Sequence, residues 1–449
     1  HLSIRRQRQM CIRDTQKTIV WTSKKTALTP GDYRIYIVVN GTVNGVGDSD
    51  KGTLTEADFL AKTTAAATSV IAAVPSDGLV MASRSPNNDN SNTLPYIAQE
   101  ITKDPEQTIA ATVERVMGKI TVTAGGTSVS SAATANKYTS FSTTVAQIDN
   151  IKDITLKNYY VVNARKEGYY FRHVDKGSSA TNPLTEANYG TSSTTLPYVT
   201  DPKTYDKTYT STPALANSYG DWYLQGSSAF GLSSFSSFSG LYTEMPGYSS
   251  GTVETKVAAY CYENTMLKDK QKNGYTTGIV FKAEIAPSKM MQKESSGDGV
   301  EETNTIGSIG EIFYHSGIFY KNIEALKAAG VLLADGTTSS SASGAPADLK
   351  KNDVQCFKKG SADGQFICYY PYWIKHLPSD TAEDVMEFGI VRNNVYQVTV
   401  ASIQGVGKDG VTEDIITDTE TDDPTTVLLN VKLSIKPWVV RANSAVLGR

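Results

Sequence analysis

The most regular pattern of apolar and polar positions lies near the end of the chain, in the segment Leu428–Trp438. Apolar residues at odd positions, Leu429, Val431, Leu433 and Ile435, alternate there with polar residues at even positions. Strict alternation predicts a β-strand with one buried and one solvent-facing side. Such a strand can cover its own sheet or complete the sheet of a neighbour, and in an isolated chain we expect the first arrangement.

Short apolar runs between turn residues predict many further strands. Tyr33–Asn40 is strongly apolar, and Thr112–Thr123 changes its phase of alternation near Val116, which indicates an irregularity in the strand. Two helices are predicted, at Thr53–Ala73 and Tyr320–Ala329. The remaining predicted strands are Leu79–Ala82, Ile151–Val162 in a hairpin with Gly168–Val174, Lys256–Tyr262, Gly278–Ile285, Gly310–Tyr314, Asp353–Lys358, Gln365–Ile374, Asn394–Ile403 and Leu428–Lys436.

The chain has 449 residues, which is too many for one ordinary core. A Ser/Thr/Pro/Asn-rich stretch between Lys176 and Leu215 is a candidate interdomain connection. We therefore predict an N-terminal β-sandwich over residues 15–190, truncated at its start, a linker over 191–215, and a C-terminal β-sandwich over 216–449.

The first fourteen residues, His1–Asp14, differ from the rest of the chain. They carry four arginines and show neither a strand nor a helix period. Codons that encode Met10–Asp14 can resemble the end of a transposon used to prepare sequencing libraries. Our hypothesis is that this segment is a non-native cloning or assembly remnant; the alternative is a natural basic leader.

Composition narrows the class of protein. The net charge is −3 with both signs interspersed, which gives no sign of nucleic-acid binding. Abundant Ser, Thr and Tyr are typical of secreted or surface β proteins. With Cys11 set aside, Cys261, Cys356 and Cys368 remain. The last two would face each other if the intervening turn were centred on Ala362, and would not if it were the pair Asp363-Gly364; we favour free, buried thiols.

Catalytic chemistry is not indicated. The sequence contains no HExxH, CxxC or G-x-S-x-G motif, and His173, His315 and His376 are far apart, so we assign each a structural role. The glycines at Gly405 and Gly407 precede no helix and form no phosphate cradle. No cofactor, metal or catalytic site is predicted.

Two features of the sequence resemble binding sites but have simpler explanations. The loops Pro86–Asn92 and Gly405–Pro424 are rich in oxygen ligands but lack an ordered calcium-binding spacing, so solvated loops are favoured. Two aromatic clusters could bind carbohydrate, although core packing explains them more simply. Their members are Tyr219, Trp222, Tyr223 and Phe230 in the first, and Tyr369, Tyr370, Tyr372 and Trp373 in the second.

The C-terminal third carries a family resemblance. Its motifs are the turn Val391–Asn394 (VRNN) with the strand after it, the glycine-containing loop Ile403–Gly407, a long acidic loop, and the last strand ending in Lys436-Pro437-Trp438. Together they resemble the type V fimbrillins, pilus shaft subunits of Bacteroidales-type bacteria, and most closely the short-fimbria shaft subunit. Weaker matches begin at about Thr26.

The resemblance implies a mainly β fold of two tandem transthyretin-like β-sandwich domains with a few short helices. It also implies export as a lipoprotein to the outer membrane, proteolytic trimming at an N-terminal Arg, and filling of the resulting groove by a C-terminal strand of the next subunit. The residues that match this polymerisation strand are Leu429, Val431, Leu433, Ile435 and Trp438. The resemblance places the family's lipid-anchor Cys, cleavage site and first strands before Tyr33, and we expect the stretch given there to be too short to hold them.

We therefore predict a structural subunit of a bacterial surface fimbria that supports adhesion. The alternatives are a fimbrial tip or anchor adhesin, or a surface carbohydrate-binding β-sandwich. The expected partners are identical subunits in a filament, accessory fimbrial subunits, and host or bacterial surface proteins or glycans, but not nucleic acid.

Overall fold

A computed structural model describes most of the chain. The described residues are 20–22, 29–50, 52–84, 94–103, 106–141, 150–175, 198–203, 223–224, 242–266, 271–293, 300–303, 308–331, 349, 353–376, 387–410, 428–437 and 441–448. Their first half contains a 3₁₀ turn at Asp48–Asp50, one short helix and thirteen strands. These elements are β1 (Val20–Thr22), β2 (Gly31–Ile35), β3 (Val38–Val39), α1 (Glu56–Leu60), β4 (Met81–Arg84), β5 (Ile97–Ile101), β6 (Glu106–Arg115), β7 (Met117–Thr123), β8 (Lys137–Tyr138), β9 (Ile151–Val162), β10 (Ala164–Arg165), β11 (His173–Asp175), β12 (Tyr198–Thr200) and β13 (Tyr223–Leu224).

The second half of the described residues is built in the same way. Its elements are β14 (Thr243–Glu244), β15 (Tyr248–Ser249), β16 (Thr252–Val253), β17 (Thr255–Tyr262), β18 (Gly278–Pro287), β19 (Met290–Lys293), β20 (Val300–Thr303), β21 (Glu311–His315), β22 (Ile318–Tyr320), α2 (Ile323–Ala328), β23 (Gln355–Lys358), β24 (Phe366–Trp373), β25 (Asn394–Ile403), β26 (Leu429–Pro437) and β27 (Arg441–Gly448). The fold is mainly β, as predicted. No helix among the described residues is long and apolar enough to cross a membrane.

Two β-sheets face each other around the largest hydrophobic core. One sheet has the order β17-β7-β25-β26 and the other the order β14-β9-β18-β24, with β8 added beside β9. Their inward residues include Ile120, Phe281, Cys368 and Val398, all fully buried. Alternating inward and outward residues on facing sheets are the mark of a β-sandwich.

Both sheets combine strands from before and after the predicted linker, since β7 pairs with β17 and β25, and β9 pairs with β18. Residues 191–197 and 204–215 of that linker lie outside the described residues. The tandem two-domain division with these boundaries remains a prediction.

A further sheet in the N-terminal part has the order β1-β27-β6-β4-β3, and β2 pairs separately with β5. Smaller apolar clusters surround it, one containing Phe59, Val116 and Phe171 and the other Ile97, Ile101 and Ala111. The sheet therefore has its own packing against neighbouring elements, apart from the sandwich core.

A third group consists of the sheet β20-β19-β22-β21-β23 and helix α2. The helix is capped by Asn322, whose side chain accepts a hydrogen bond from the Ala325 amide at 2.9 Å. Its buried Leu326 packs in a satellite cluster with Phe313 and Val354. This helix confirms the prediction for Tyr320–Ala329.

Two predictions about local structure were wrong. The helix expected over Thr53–Ala73 begins correctly, with Thr55 accepting from the Asp58 amide, but ends at Leu60. The chain beyond it is drawn into β-bridges, Thr63 with Tyr169 and Ile71 with Tyr260, so tertiary pairing overrides helix propensity.

The expected hairpin between Ile151–Val162 and Gly168–Val174 is also absent. β9 has the predicted bounds, but pairs with β18, whereas β11 pairs with β12.

Candidate functional site

The segment predicted to polymerise begins as a strand of the chain's own sandwich. β26 pairs antiparallel with β25 from Asn394 opposite Pro437 to Ile403 opposite Leu429. Leu429 is 1% exposed, and the partly buried side chains of Val431, Leu433 and Ile435 pack against the main core. Trp438 lies outside the described residues. In this chain the alternating apolar side is therefore covered by the chain itself.

The chain then leaves the sandwich and enters the N-terminal sheet. Residues 438–440 connect β26 to β27, which pairs antiparallel with β6 from Arg441 opposite Val113 to Gly448 opposite Glu106. On its other side β27 pairs in parallel with β1, Val20 lying opposite Ser444. The last strand thus occupies an inner position, between the first strand and β6.

This second C-terminal strand was not predicted from the sequence. Its residues, Arg441–Gly448, show no strict alternation of apolar and polar positions. The available signal was the length of chain after Pro437, together with the small and apolar residues Ala445, Val446 and Leu447. A proline ends a strand readily, and enough residues follow it to form another.

The strand that receives β27 is continuous with a strand of the sandwich. Val116, fully buried, is the single residue between β6 and β7. β6 belongs to the N-terminal sheet, and β7 lies between β17 and β25 in the sandwich. The irregularity predicted near Val116 is therefore confirmed as the point where one run of chain passes from one sheet to the other.

A buried ion pair lies beside this junction. Arg392 donates from Nε to Glu263 Oε1 and from Nη2 to Glu263 Oε2, both at 2.8 Å, and both side chains are fully buried. Its Nη1 and Nη2 also donate to the carbonyls of Tyr170 and Tyr169, at 2.8 and 2.7 Å. Burial raises the pKa of the Glu263 carboxyl, and the Arg392 charge opposes that rise. Bidentate pairing of this kind satisfies charges that water no longer reaches.

A second carboxylate extends the cluster to β6. Glu114 accepts from Arg172 Nε at 3.0 Å and from Arg172 Nη2 at 2.5 Å. Its oxygens also lie 3.8 Å from Arg84 Nη1 and 4.0 Å from Arg392 Nη1. Three guanidinium groups thus share two carboxylates at the place where the N-terminal sheet meets the sandwich.

Two histidines have structural surroundings, as predicted. His376 Nδ1 lies 2.7 Å from the Tyr396 hydroxyl, which also accepts from the Val391 amide at 2.8 Å. Burial, with the Arg172 charge, lowers the pKa of His376 to about 4. His173 is fully buried, with Nε2 2.9 Å from the Leu60 carbonyl.

The cysteines are free and buried in the described part of the chain. Lys359 pairs with Phe366, so the turn is centred between Ala362 and Asp363, and Cys356 does not lie opposite Cys368. Burial raises the pKa of each thiol to about 12. The prediction of free thiols is confirmed.

The other candidate binding sites gain no support from the described residues. Of the second cluster, Tyr370, Tyr372 and Trp373 are buried in the core, as predicted, whereas Tyr369 is only partly buried. Tyr219, Trp222 and Phe230, like the loop Pro86–Asn92, lie outside the described residues, and nothing is described of the Tyr223 side chain. No group of three or more metal-ligating side chains was found in the ranges that the structure covers.

The arrangement described so far defines a class of protein, a mainly β protein whose C-terminal strand completes its N-terminal sheet. Residues 363–444 match the family described as "Major fimbrial subunit protein type IV, Fimbrillin, C-terminal". Over these residues the chain is similar to the C-terminal part of fimbrillins. The predicted resemblance to fimbrillins is confirmed over residues 363–444, whereas the type V assignment stays a prediction, since the matching family is described as type IV. The matching family is one of structural subunits.

Comparison with solved structures gave distant similarities over most of the chain. A protein of Parabacteroides distasonis ATCC 8503 assigned to cell adhesion is 12% identical, with a TM-score of 0.38, over 91% of this chain and 84% of that one. A fimbrilin of Porphyromonas gingivalis W83 is 16% identical, with a TM-score of 0.35, over 92% of this chain and 82% of that one. No curated protein matched the sequence. At these TM-scores the similarity supports no further conclusion.

Proposed function

We propose that this protein is the structural subunit of a surface fimbria and polymerises by exchange of one C-terminal strand, β27. In the filament, β27 of one copy takes the place beside β6 of the next copy that it takes within its own chain here. Accessory fimbrial subunits and surface molecules of a host or another bacterium are further proposed partners.

The observation that carries this proposal is the position of β27. It pairs with β6 over eight residue positions, from Arg441 to Gly448, and is joined to β26 by residues 438–440 alone. Exchange of an identical element between copies preserves every backbone pair and changes only the path of the connecting residues. If each copy donates β27 to the next copy and receives it from the previous one, the exchange builds an open filament, whereas reciprocal exchange between two copies would close a dimer.

β26 contributes to the proposed polymerisation because it is joined directly to the exchanged strand β27. Its apolar residues Leu429, Val431, Leu433 and Ile435, with Trp438 after them, match the family's donor segment. The pairing of β26 with β25 supports a role as the anchor that holds the donor strand to its own subunit.

Deletion of residues 441–449 tests the proposal, because it removes β27 and leaves β26. We expect the full chain to form filaments visible by electron microscopy and the shortened chain to stay monomeric by light scattering. A synthetic peptide of residues 439–449 should bind the shortened chain, and a peptide of scrambled order should not. Filaments formed by the shortened chain would rule out exchange of β27.

A further inference from the structure

The VRNN turn, Val391–Asn394, lies directly on the break between β6 and β7. The Asn393 amide donates to the Met117 carbonyl at 2.8 Å, and the Asn393 Oδ1 accepts from the Arg115 amide at 3.4 Å. One residue therefore contacts the last residue of β6 and the first residue of β7. Bonds on both sides of Val116 hold the two strands in line across the break.

The turn is preorganised for this contact. Asn393 has φ of 58°, a left-handed conformation that asparagine tolerates better than most residues. Asn394 Nδ2 donates to the Arg392 carbonyl at 3.0 Å and closes the turn. Asn393 is also 6% exposed, so its bonds to β6 and β7 are shielded from competing water.

Arg392, in the same turn, makes a second set of contacts with neighbouring elements. Its guanidinium joins Glu263, which follows β17, to the carbonyls of Tyr169 and Tyr170, and approaches Glu114 on β6. The turn leads directly into β25, which pairs with β26. The strand that receives β27 and the strand that holds its donor segment are thus joined at one place.

We infer that the VRNN turn is a coupling element that keeps β6 aligned with the sandwich and so keeps β27 paired. A pull on an exchanged β27 would pass through residues 438–440 to β26, then to β25 and β7, and along the chain through Val116 to β6. The role under load rests on the proposed function, whereas the coupling itself is a property of the single chain. Asn393 and Arg392 act as positioning residues, since the contacts described for them do not include β27.

Hydrogen–deuterium exchange of the full-length monomer tests the coupling. Asn393→Gly keeps the left-handed backbone and removes the side-chain acceptor, and Asn393→Asp keeps both. We expect Asn393→Gly to raise amide exchange about fivefold in residues 106–113 and 441–448, as the loss of one buried hydrogen bond implies. Asn393→Asp keeps the acceptor but buries a carboxylate, so the deciding comparison is Asn393→Gly against the original protein.

Asn136→Gly is the matched control. Asn136 is also buried and left-handed, at φ of 60°, and bonds to the Gly125 amide and the Pro246 carbonyl, away from the break. Its replacement should raise exchange near residue 136 and leave residues 441–448 unchanged.

One pattern of amide exchange would contradict the coupling between the turn and β27. If Asn393→Gly raises exchange only around residues 115–117 and 390–396, with residues 441–448 unaffected, the turn does not couple to the inserted strand. If Asn393→Gly does not fold, Arg392→Lys is used instead. It removes the bidentate contact with Glu263 but keeps the positive charge. Faster exchange in residues 441–448 would again support the coupling, and unchanged exchange there would contradict it. These exchange measurements are made on the monomer. If the protein does not form filaments, the test of coupling is still valid. If the coupling is not observed, the proposal of strand exchange still stands.

Discussion

Replacement of Glu263 by Gln tests how far the fold depends on its buried ion pair. The carboxylate of Glu263 accepts two bonds of 2.8 Å from Arg392, and both side chains are fully removed from solvent. The Gln side chain has the same shape, but only its oxygen can accept a hydrogen bond from Arg392. Its NH2 group, which replaces the second carboxylate oxygen, would face another N–H of the guanidinium group. Arg392 keeps its two backbone carbonyls, while the nearest described remaining carboxylate, Glu114, lies 4.0 Å from it.

Removing one partner of a buried ion pair costs about 3–5 kcal/mol, because the other charge stays buried without its counter-ion. That is at least roughly a hundredfold change in the unfolding equilibrium constant. Urea unfolding followed by fluorescence should show a lower midpoint at an unchanged slope. Asp363→Asn, which breaks the exposed pair with Lys359, is the control and should leave the midpoint unchanged.

A midpoint for Glu263→Gln equal to that of the surface control would refute this reasoning. Adding Arg392→Met to Glu263→Gln gives an independent check. Once both charges are absent, part of the lost stability should return, so the double variant should be less destabilised than the sum of the single variants.

Three further predictions follow from packing and burial. Gly278→Ala should lower stability by about 1–3 kcal/mol in thermal unfolding, because its Cβ would lie 2.3 Å from Trp373 Cε3, whereas Gly310→Ala, with nothing within 4 Å of its Cβ, should have little effect. The folded-state pKa of His376, about 4, lies below its ordinary 6.5, so the unfolded chain binds that proton more tightly. Stability should therefore fall as the pH drops from 6.5 to 4, by up to about 3 kcal/mol, and His376→Gln should flatten that part of a pH series of urea titrations; an unchanged slope would contradict the assignment. Thiol alkylation of the native protein at pH 8 should be slow at the three described cysteines and fast after unfolding, and rapid native labelling would show that burial does not protect Cys261, Cys356 and Cys368.

Local pattern predicted the strands well and their partners poorly. Asn394–Ile403 and Ile151–Val162 have the bounds that alternation and β-propensity indicate, because these signals are local. The partner of β9 follows instead from long-range pairing with β18, which no spacing in the sequence encodes. The run after Leu60 shows the same limit, since contacts to Tyr169 and Tyr260 decide its conformation.

In the candidate functional site, too, the motifs could be predicted from the sequence but their contacts could not. The VRNN turn and the alternating strand were recognisable as motifs, but the contacts of Arg392 and Asn393 join positions far apart in the chain, such as Arg392 and Glu263. β27 escaped prediction because its residues show no strict alternation, so no local pattern marks them as a strand. Its place in the N-terminal sheet is a property of the tertiary fold, and it is the feature on which the proposed assembly depends.

Disulfide capture between chains tests that assembly most directly. Ala110 lies opposite Ser444 in the β6–β27 register, a separation that suits a disulfide between cysteines. With Cys11 replaced by Ser, one chain carries Ala110→Cys and another Ser444→Cys, and the two are unfolded together, refolded at high concentration and oxidised. A single chain with both substitutions verifies the register, and a mixture of Glu106→Cys with Ser444→Cys, four positions out of register, is the control.

Strand exchange predicts covalent pairs of chains from the Ala110→Cys and Ser444→Cys mixture, and few or none from the control mixture. If the doubly substituted single chain closes its internal disulfide while the mixture gives no covalent pairs, β27 stays within its own chain and the proposed mechanism of assembly is wrong.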